Sequence, residues 1–165
     1  MDSDAEQGTV IDEDAYTVRR SIHIAAPIEK VWAALTQPEL ISKWFTQSAV
    51  LDGDGVGATG FFTFSPTNSI PVRIEEIDKP HMIAYRWSND DAAAEQAGGR
   101  RPATIDDEHS LVMRFTLEPT ADGVRLSLVE TGFATTLDPM YNMKSHVRGW
   151  NQMFDQLGTY FGALA

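Results

Sequence analysis

The sequence of 165 residues contains no cysteine. This absence excludes a disulfide framework, a thiolate-bound zinc site, an iron–sulfur cluster and a cysteine nucleophile. The sequence also lacks any apolar run that approaches the roughly 20 residues needed to span a bilayer. Its acidic N-terminus lacks the basic and apolar parts of a signal peptide. We therefore expect a cytoplasmic protein.

Basic residues are scarce, with 13 Lys and Arg against 24 Asp and Glu and a formal net charge of −11. Most of the excess acid lies in residues 1–14 and 90–108, and the remainder of the chain is close to neutral. Without a basic face, the chain is poorly suited to nucleic acid or to an anionic membrane surface. We interpret the two acidic segments as solubilising, and we expect no nucleic-acid partner and no membrane insertion.

The length of the chain suits one domain. Residues 1–14 contain few large apolar side chains, which predicts a disordered acidic tail. Residues 15–165 then form the single domain. Within that domain, residues 88–109 are small, polar and charged and include a Gly-Gly pair and a proline. We expect a mobile, exposed insertion there.

Two periodicities run along the domain. Alternating apolar and polar residues predict strands, whereas apolar residues three and four apart predict helices. The predicted strands are residues 16–24, 61–64, 72–77, 82–87, 110–118 and 124–131, with a glycine-rich loop or bulged strand at 51–60. The predicted helices are residues 26–36, 39–45 and 138–164. Elements segregated in this way predict an α+β fold, in which the long C-terminal helix covers one face of an antiparallel sheet.

Four stretches, taken in order, carry a resemblance to a known family. They are IAAPIEKVWAALTQPELISKWF (24–45), IEEIDKPHMIAYRW (74–87), VRLSLVETGF (124–133) and SHVRGWNQMFDQLGTYF (145–161). On these stretches the chain resembles the START-like helix-grip superfamily, and within it the bacterial proteins similar to the C-terminal domain of the activator of the heat-shock-protein-90 ATPase. The resemblance implies a β-α-α-β6-α helix-grip fold. In that fold a curved antiparallel β-sheet wraps around a long C-terminal helix and leaves an internal apolar cavity.

Two segments depart from the pattern of the family. The insertion at 88–109 is longer than the tight turn expected between those strands. The segment FTFSPTNSIP (62–71) lacks the glycine-rich hairpin that is common in the family. Both segments lie where the mouth of the cavity is expected, so the shape of the mouth and the class of ligand stay open.

The local motifs for cofactors and metals are incomplete. Residues 55–60 match G-x-G-x-x-G, but a Phe-rich strand follows where the dinucleotide fingerprint requires a helix. Residues 52–54 look like the start of a calcium loop, but Val56 stands where an EF-hand needs an oxygen ligand and Thr63 where it needs a bidentate glutamate. None of the four histidines has another two to five residues away, as a local metal clamp would require. We therefore predict no metal and no cofactor.

Glu130 is the charged residue of greatest interest. It lies in phase with Val124, Leu126 and Leu128, so the alternation points it toward the interior. A buried carboxylate is costly unless it is paired or protonated. Three interpretations of Glu130 stay open. It is a polar group inside the cavity that contacts a ligand, or a candidate general acid, or a residue at the strand end that reaches solvent or an arginine. The candidate arginine partners are Arg20, Arg73, Arg86 and Arg114.

The predicted cavity lining consists mainly of aromatic, methionine and aliphatic residues on inward faces, a composition typical of small-molecule pockets. His146 lies one residue from the apolar stripe of the C-terminal helix and is expected either at the cavity mouth or on the helix surface. The predicted lining residues are Trp44, Phe62, Phe64, Ile74, Tyr85, Trp87, Met113, Phe115, Leu126, Leu128, Glu130, Met140, Met143, His146, Val147 and Trp150.

Three hypotheses about function follow. The first is a non-catalytic protein that binds a small apolar or amphipathic molecule, such as a lipid, in the cavity. The second, implied by the resemblance, is a cyclase-, hydratase- or hydrolase-like enzyme acting on polyketide-like molecules, with Glu130 as its candidate acid. The third is a partner of a chaperone ATPase in the stress response, as the name of the family implies. The sequence does not decide between a monomer and a homodimer.

Overall fold

The computed structural model describes residues 8–164 of the chain. The strands are β1 (Val10–Asp12), β2 (Thr17–Ile24), β3 (Ser48–Leu51), β4 (Thr59–Ser65), β5 (Asn68–Asp78), β6 (Met82–Trp87), β7 (Leu111–Thr120) and β8 (Gly123–Thr131). The helices are α1 (Ile28–Thr36), α2 (Pro38–Ile41), α3 (Asp91–Gln96) and α4 (Pro139–Leu164), with a 3₁₀ turn at Phe133–Thr135. The strands form one antiparallel sheet in the order β1-β2-β8-β7-β6-β5-β4-β3.

This architecture confirms the predicted α+β helix-grip fold. The β-α-α-β6-α pattern begins at β2, passes through α1 and α2, continues through β3 to β8 and ends in α4. The sheet is curved, and the long C-terminal helix lies against it. The elements β1 and α3 are additions to the pattern.

The core lies between the sheet and the helices. Along β8 every second residue is buried, and Glu130 continues the buried row of Val124, Leu126 and Leu128. This follows from the two-residue period of a strand, whereas buried residues of a helix recur three or four apart. The buried apolar residues of α4 are Met143, Trp150, Phe154, Leu157 and Phe161.

The segment before β2 differs from its prediction. Residues 8–14 were predicted as part of a disordered tail, but β1 pairs with β2 there, with Ile11 opposite Val18. Ile11 packs against the core, and the backbone N–H of Thr9 donates to Asn151 Oδ1 at 3.0 Å. Val10 and Ile11 are β-branched, a residue type that is enriched in strands. The rest of the predicted tail, residues 1–7, lies outside the described residues.

The insertion at 88–109 has an ordered start that docks on the beginning of α4. Asp90 caps α3 by accepting a hydrogen bond from the N–H of Ala93, as is usual for a helix N-terminus. The same carboxylate accepts hydrogen bonds from the amide of Asn142 and the N–H of Leu137, both at the start of the long helix. In return, Asn142 accepts a hydrogen bond from the N–H of Ala92. The insertion therefore lies over one end of the sheet–helix interface, and its predicted mobility stays a prediction.

Within residues 8–164, the structure contains no helix with the length and apolar character needed to cross a membrane.

Candidate functional site

A cavity of about 520 Å³ lies between the sheet and the C-terminal helix. Small-molecule pockets are typically about 300–1,000 Å³, so this volume is sufficient for a small ligand. The walls come from the segment after α2, from β4, β5 and β6, from the insertion and from α4. The lining combines a set of apolar residues, here called the apolar wall, with a set of polar residues, here called the polar wall.

The apolar wall is built around aromatic rings. Phe45 stacks on Trp150 with ring centroids 5.3 Å apart, and it meets Phe64 edge-on at 5.4 Å. Trp87 lies beside Trp150 at 6.1 Å. Aromatic pairs prefer such stacked and edge-to-face geometries, so these contacts stabilise one arrangement of the rings in the cavity wall. The apolar lining residues are Phe45, Phe64, Ile70, Trp87, Trp150 and Met153.

The polar wall comes from the insertion, from one edge of α4, and from Thr46, Gln47 and Asn68 in the segment after α2 and in β5. On the helix, the lining positions recur three or four residues apart, which places them on one side of it. The polar lining residues are Thr46, Gln47, Asn68, Asn89, Asp91, Arg101, Ser145, His146, Gln152 and Gln156.

Glu130 is 0% exposed and lies behind the aromatic wall. Its Oε2 accepts a hydrogen bond from Trp87 Nε1 at 2.8 Å, and its Oε1 accepts one from Trp150 Nε1 at 2.8 Å. His146 Nδ1 lies 2.7 Å from the same Oε1. Three groups thus satisfy the carboxyl and orient both indole rings, so the buried charge is compensated as such charges must be.

The partner of Glu130 is therefore a histidine. The candidate arginines pair elsewhere: Arg73 and Arg86 with Glu75, and Arg114 with Glu76. Arg20 donates to Asn151.

His146 connects Glu130 to the insertion. Its Nε2 lies 3.1 Å from the backbone oxygen of Asn89, which can only accept a hydrogen bond, so Nε2 carries a proton. The same nitrogen lies 3.4 Å from Asp91 Oδ2. Burial disfavours the charged ring, but Glu130 and Asp91 outweigh it and raise the pKa of His146 to about 10. The ring is thus a buried imidazolium whose two N–H groups are both engaged.

Asp91 extends the row of charges toward Arg101. It accepts hydrogen bonds from Ser145 Oγ at 2.7 Å and from Arg101 Nη2 at 2.7 Å. Burial opposes its charge, but His146, Ser145 and Arg101 outweigh burial and hold the pKa of Asp91 well below its usual value. Glu130, His146, Asp91 and Arg101 therefore form a row of alternating charge with no net charge. We call these four residues the charge row.

Three residues of the cavity wall carry buried polar atoms that lack a hydrogen-bond partner within the part of the chain that the structure describes. They are the Thr46 hydroxyl, Asn89 Oδ1 and Arg101 Nη1. Buried polar groups are nearly always paired, so each exception calls for an explanation. Their concentration on one cavity indicates a place where a further polar group can be bound.

The structure distributes the sixteen residues predicted to line a cavity over two regions. Phe64, Trp87, His146 and Trp150 line the cavity. The others lie in the core, either fully buried or, for Met140 and Val147, partly buried against it. The core members are Trp44, Phe62, Ile74, Tyr85, Met113, Phe115, Leu126, Leu128, Glu130, Met140, Met143 and Val147.

Two hydrogen bonds show why inward-facing residues can still miss the cavity. The Tyr85 hydroxyl donates to the backbone oxygen of Leu35, and Trp44 Nε1 donates to that of Ala34. Both side chains therefore pack beneath α1 rather than beneath α4. The alternation of a strand identifies the inward face, but it does not say which helix covers each part of that face.

Sequence reasoning missed most of the polar wall and several other lining residues of α4. Ser145, Gly149, Gln152, Met153 and Gln156 stand beside the apolar stripe of α4 at helical spacing, a signal that could have been used. Asn89, Asp91 and Arg101 reach the cavity through the fold of the insertion, which no periodicity reveals.

The family model for activator of Hsp90 ATPase homolog 1-like proteins matches residues 25–162. This chain belongs to that family. The matched residues include α1, α2, the cavity walls and α4 as far as residue 162. Proteins with this START-like fold often bind ligands. No curated protein matches the sequence.

Solved structures of the same fold agree with this family. Protein MLL2253 from Mesorhizobium loti has a TM-score of 0.71 and 24% identity, over 90% of this chain and 98% of that one. CalU16 from Micromonospora echinospora has a TM-score of 0.64 and 17% identity, over 93% and 82%. DynU16, from the dynemicin biosynthetic locus, has a TM-score of 0.67 and 18% identity, over 88% of this chain and 47% of that one. At these identities the likeness shows the fold alone.

Proposed function

We propose that this family member binds a small amphipathic molecule in the cavity between the sheet and α4. The observation that carries the proposal is a cavity of about 520 Å³ whose lining combines aromatic rings with polar side chains. The apolar part of the ligand would lie against Phe45, Trp87 and Trp150. Its polar part would face the insertion and the polar edge of the long helix.

The role of Glu130 in this proposal is to hold the aromatic wall. Its carboxyl engages three partners and does not line the cavity, so it is poorly placed to exchange a proton with a ligand. This arrangement favours binding over the enzymatic alternative.

Gly149 offers a direct test, because it lines the cavity and a Cβ built on it meets nothing within 4 Å. A Gly149→Leu substitution places a side chain in the cavity and removes a helix-weakening glycine. We expect the affinity for the uncharged naphthalene probe N-phenyl-1-naphthylamine to fall by more than about 10-fold, or 1.4 kcal/mol. The measurement is a fluorescence titration, with native mass spectrometry of freshly purified protein to detect any copurified ligand.

Gly158 provides the matched control. It lies on the exposed side of α4, and a Cβ there also meets nothing within 4 Å. Gly158→Leu should bind the probe as the parent protein does. Equal affinities of the parent and both variants would mean that the probe binds elsewhere, and would count against the cavity as the binding site.

A chaperone ATPase partner is the second candidate, supported by the family match alone. Titration of purified Hsp90 with this protein separates the two proposals. A complex that forms equally well with Gly149→Leu would indicate a surface role independent of the cavity.

A further inference from the structure

We propose that Arg101 and Thr46 form a recognition site for an uncharged carbonyl oxygen at the polar end of the ligand. This inference rests on the proposed binding function and names the chemical group that the cavity selects. It begins from the unpaired buried atoms of the cavity wall, two of which, Arg101 Nη1 and the Thr46 hydroxyl, can donate hydrogen bonds.

The guanidinium of Arg101 has two of its three nitrogens engaged. Its Nε donates to Asn68 Oδ1 at 3.0 Å, and its Nη2 donates to Asp91 Oδ1 at 2.7 Å. These contacts hold the group against the cavity wall and leave Nη1 without a partner. A ligand oxygen that reaches Nη1 would therefore meet a donor with no competing partner.

Thr46 is 7% exposed and lines the same cavity from the segment after α2. Its hydroxyl also lacks a partner, so leaving it unpaired costs free energy that a ligand acceptor would recover. Two donors and an aromatic wall together suit a carbonyl attached to a flat ring.

The charge row explains why an uncharged group is favoured over a carboxylate. The charge of Arg101 is balanced by Asp91, and that of His146 is balanced by Glu130. An anionic ligand would approach Arg101 and Asp91 together. Its attraction to the Arg101 guanidinium would therefore be offset by repulsion from the Asp91 carboxylate. A neutral carbonyl accepts the hydrogen bonds without the cost of desolvating a charge.

Three naphthalene probes of similar size separate these cases: 2-acetonaphthone, 2-ethylnaphthalene and 2-naphthoate. We expect the parent protein to bind the ketone about 10- to 100-fold more tightly than the hydrocarbon, the range for a hydrogen bond to a charged group. Affinities are measured by quenching of tryptophan fluorescence, because Trp87 and Trp150 lie in the wall. In Arg101→Met the preference for the ketone should fall to what the Thr46 hydroxyl alone supplies, while the hydrocarbon binds as before.

Arg100→Met is the matched control. Arg100 directly precedes Arg101 in the insertion. Its side chain donates to the backbone oxygen of Ala97 and does not line this cavity. The control should keep the full preference for the ketone. Since Arg101→Met also breaks an ion pair, Thr46→Val serves as a second variant that removes one donor without removing any existing hydrogen bond. It should lower the preference and preserve the fold.

The outcomes are distinct. Equal binding of ketone and hydrocarbon by the parent protein would overturn this inference alone, and would mean that ordered water satisfies the donors. If the parent protein binds 2-naphthoate more tightly than the ketone, and Arg101→Met loses this difference, then the site recognises a carboxylate and not an uncharged carbonyl. Binding of none of the three probes would overturn both this inference and the proposed function.

Discussion

At the scale of single residues, the interior is organised around one carboxylate. Glu130 receives N–H groups from two tryptophans and lies against a buried imidazolium. Each indole is a ring of the cavity wall as well as a donor to this carboxylate. The shape of the cavity therefore depends on a group that does not line it.

A Glu130→Gln substitution tests this dependence. It removes the carboxylate at Nδ1 of His146, which leaves Asp91 as the remaining acidic neighbour named above, and it turns an amide N–H toward groups that themselves donate. Removing one member of a buried ion pair typically costs about 3–5 kcal/mol. We expect the free energy of unfolding in urea to fall by about that amount, with a change in tryptophan fluorescence.

Glu76→Gln is the matched surface control. Glu76 pairs with Arg114 at 2.8 Å on the exposed face of the sheet, where ion pairs contribute little. It should leave the urea midpoint close to that of the parent protein. A Glu130→Gln protein as stable as this control would show that the buried pair does not hold the core together.

At the scale of elements, the glycine-rich segment shows what the sequence could not predict. Residues 51–60 were predicted as a loop or a bulged strand, and residues 52–58 do form a loop. The prediction missed the strand before it, because β3 starts at Ser48 and pairs with β4. In this pair Gly60 lies so close to β3 that an added Cβ would stand 1.7 Å from the backbone oxygen of Val50. The glycine is needed for this close approach, a role that composition alone does not separate from flexibility.

A Gly60→Ala substitution should therefore force β3 and β4 apart. Overpacking against a backbone atom cannot be relieved by a side-chain rotation, so we expect a loss of at least about 2 kcal/mol in the free energy of unfolding. Gly55→Ala is the control, because a Cβ there meets nothing within 4 Å. Differential scanning calorimetry of the two variants decides the matter, and equal midpoints would contradict the role assigned to Gly60.

The same contrast separates what sequence could predict of the site from what it could not. The burial of Glu130 follows from the two-residue period of β8, and that of Trp150 from the apolar stripe of α4. Asp91 and Arg101 lie in a polar segment without periodicity, and their positions depend on how Asp90 docks on the start of α4. A local sequence pattern identifies which face of a helix or strand is buried. The residues that an insertion contacts depend on tertiary structure, which a local pattern does not show.

At the scale of the whole molecule, the charge row joins β8, α4 and the insertion through side chains far apart in sequence. Its members are neutral as a set, although the chain carries a net charge of −11. In the folded protein the pKa of His146 is raised and the pKa of Asp91 is lowered relative to their ordinary values. Stability should therefore depend on pH through this row.

The sign of that dependence follows from two residues. His146 keeps its proton up to a pKa of about 10 when folded, whereas in the unfolded chain it loses the proton near its ordinary pKa of about 6.5. Its contribution is thus complete below pH of about 6.5 and is lost as the pH rises toward 10. Asp91 has a lowered pKa, so its contribution is complete above its ordinary pKa of about 3.9 and is lost as the pH falls further.

We therefore expect the free energy of unfolding to decline between pH 6.5 and 10, by at most about 1.4 kcal/mol per pH unit from His146. Urea unfolding at a series of pH values measures this slope, and the Glu130→Gln variant isolates it. Without Glu130, the main group that holds the proton on His146 is gone, so the variant should lose less stability than the parent over the same range. Parallel slopes for the two proteins would show that the pH dependence does not arise from the pairing of Glu130 with His146.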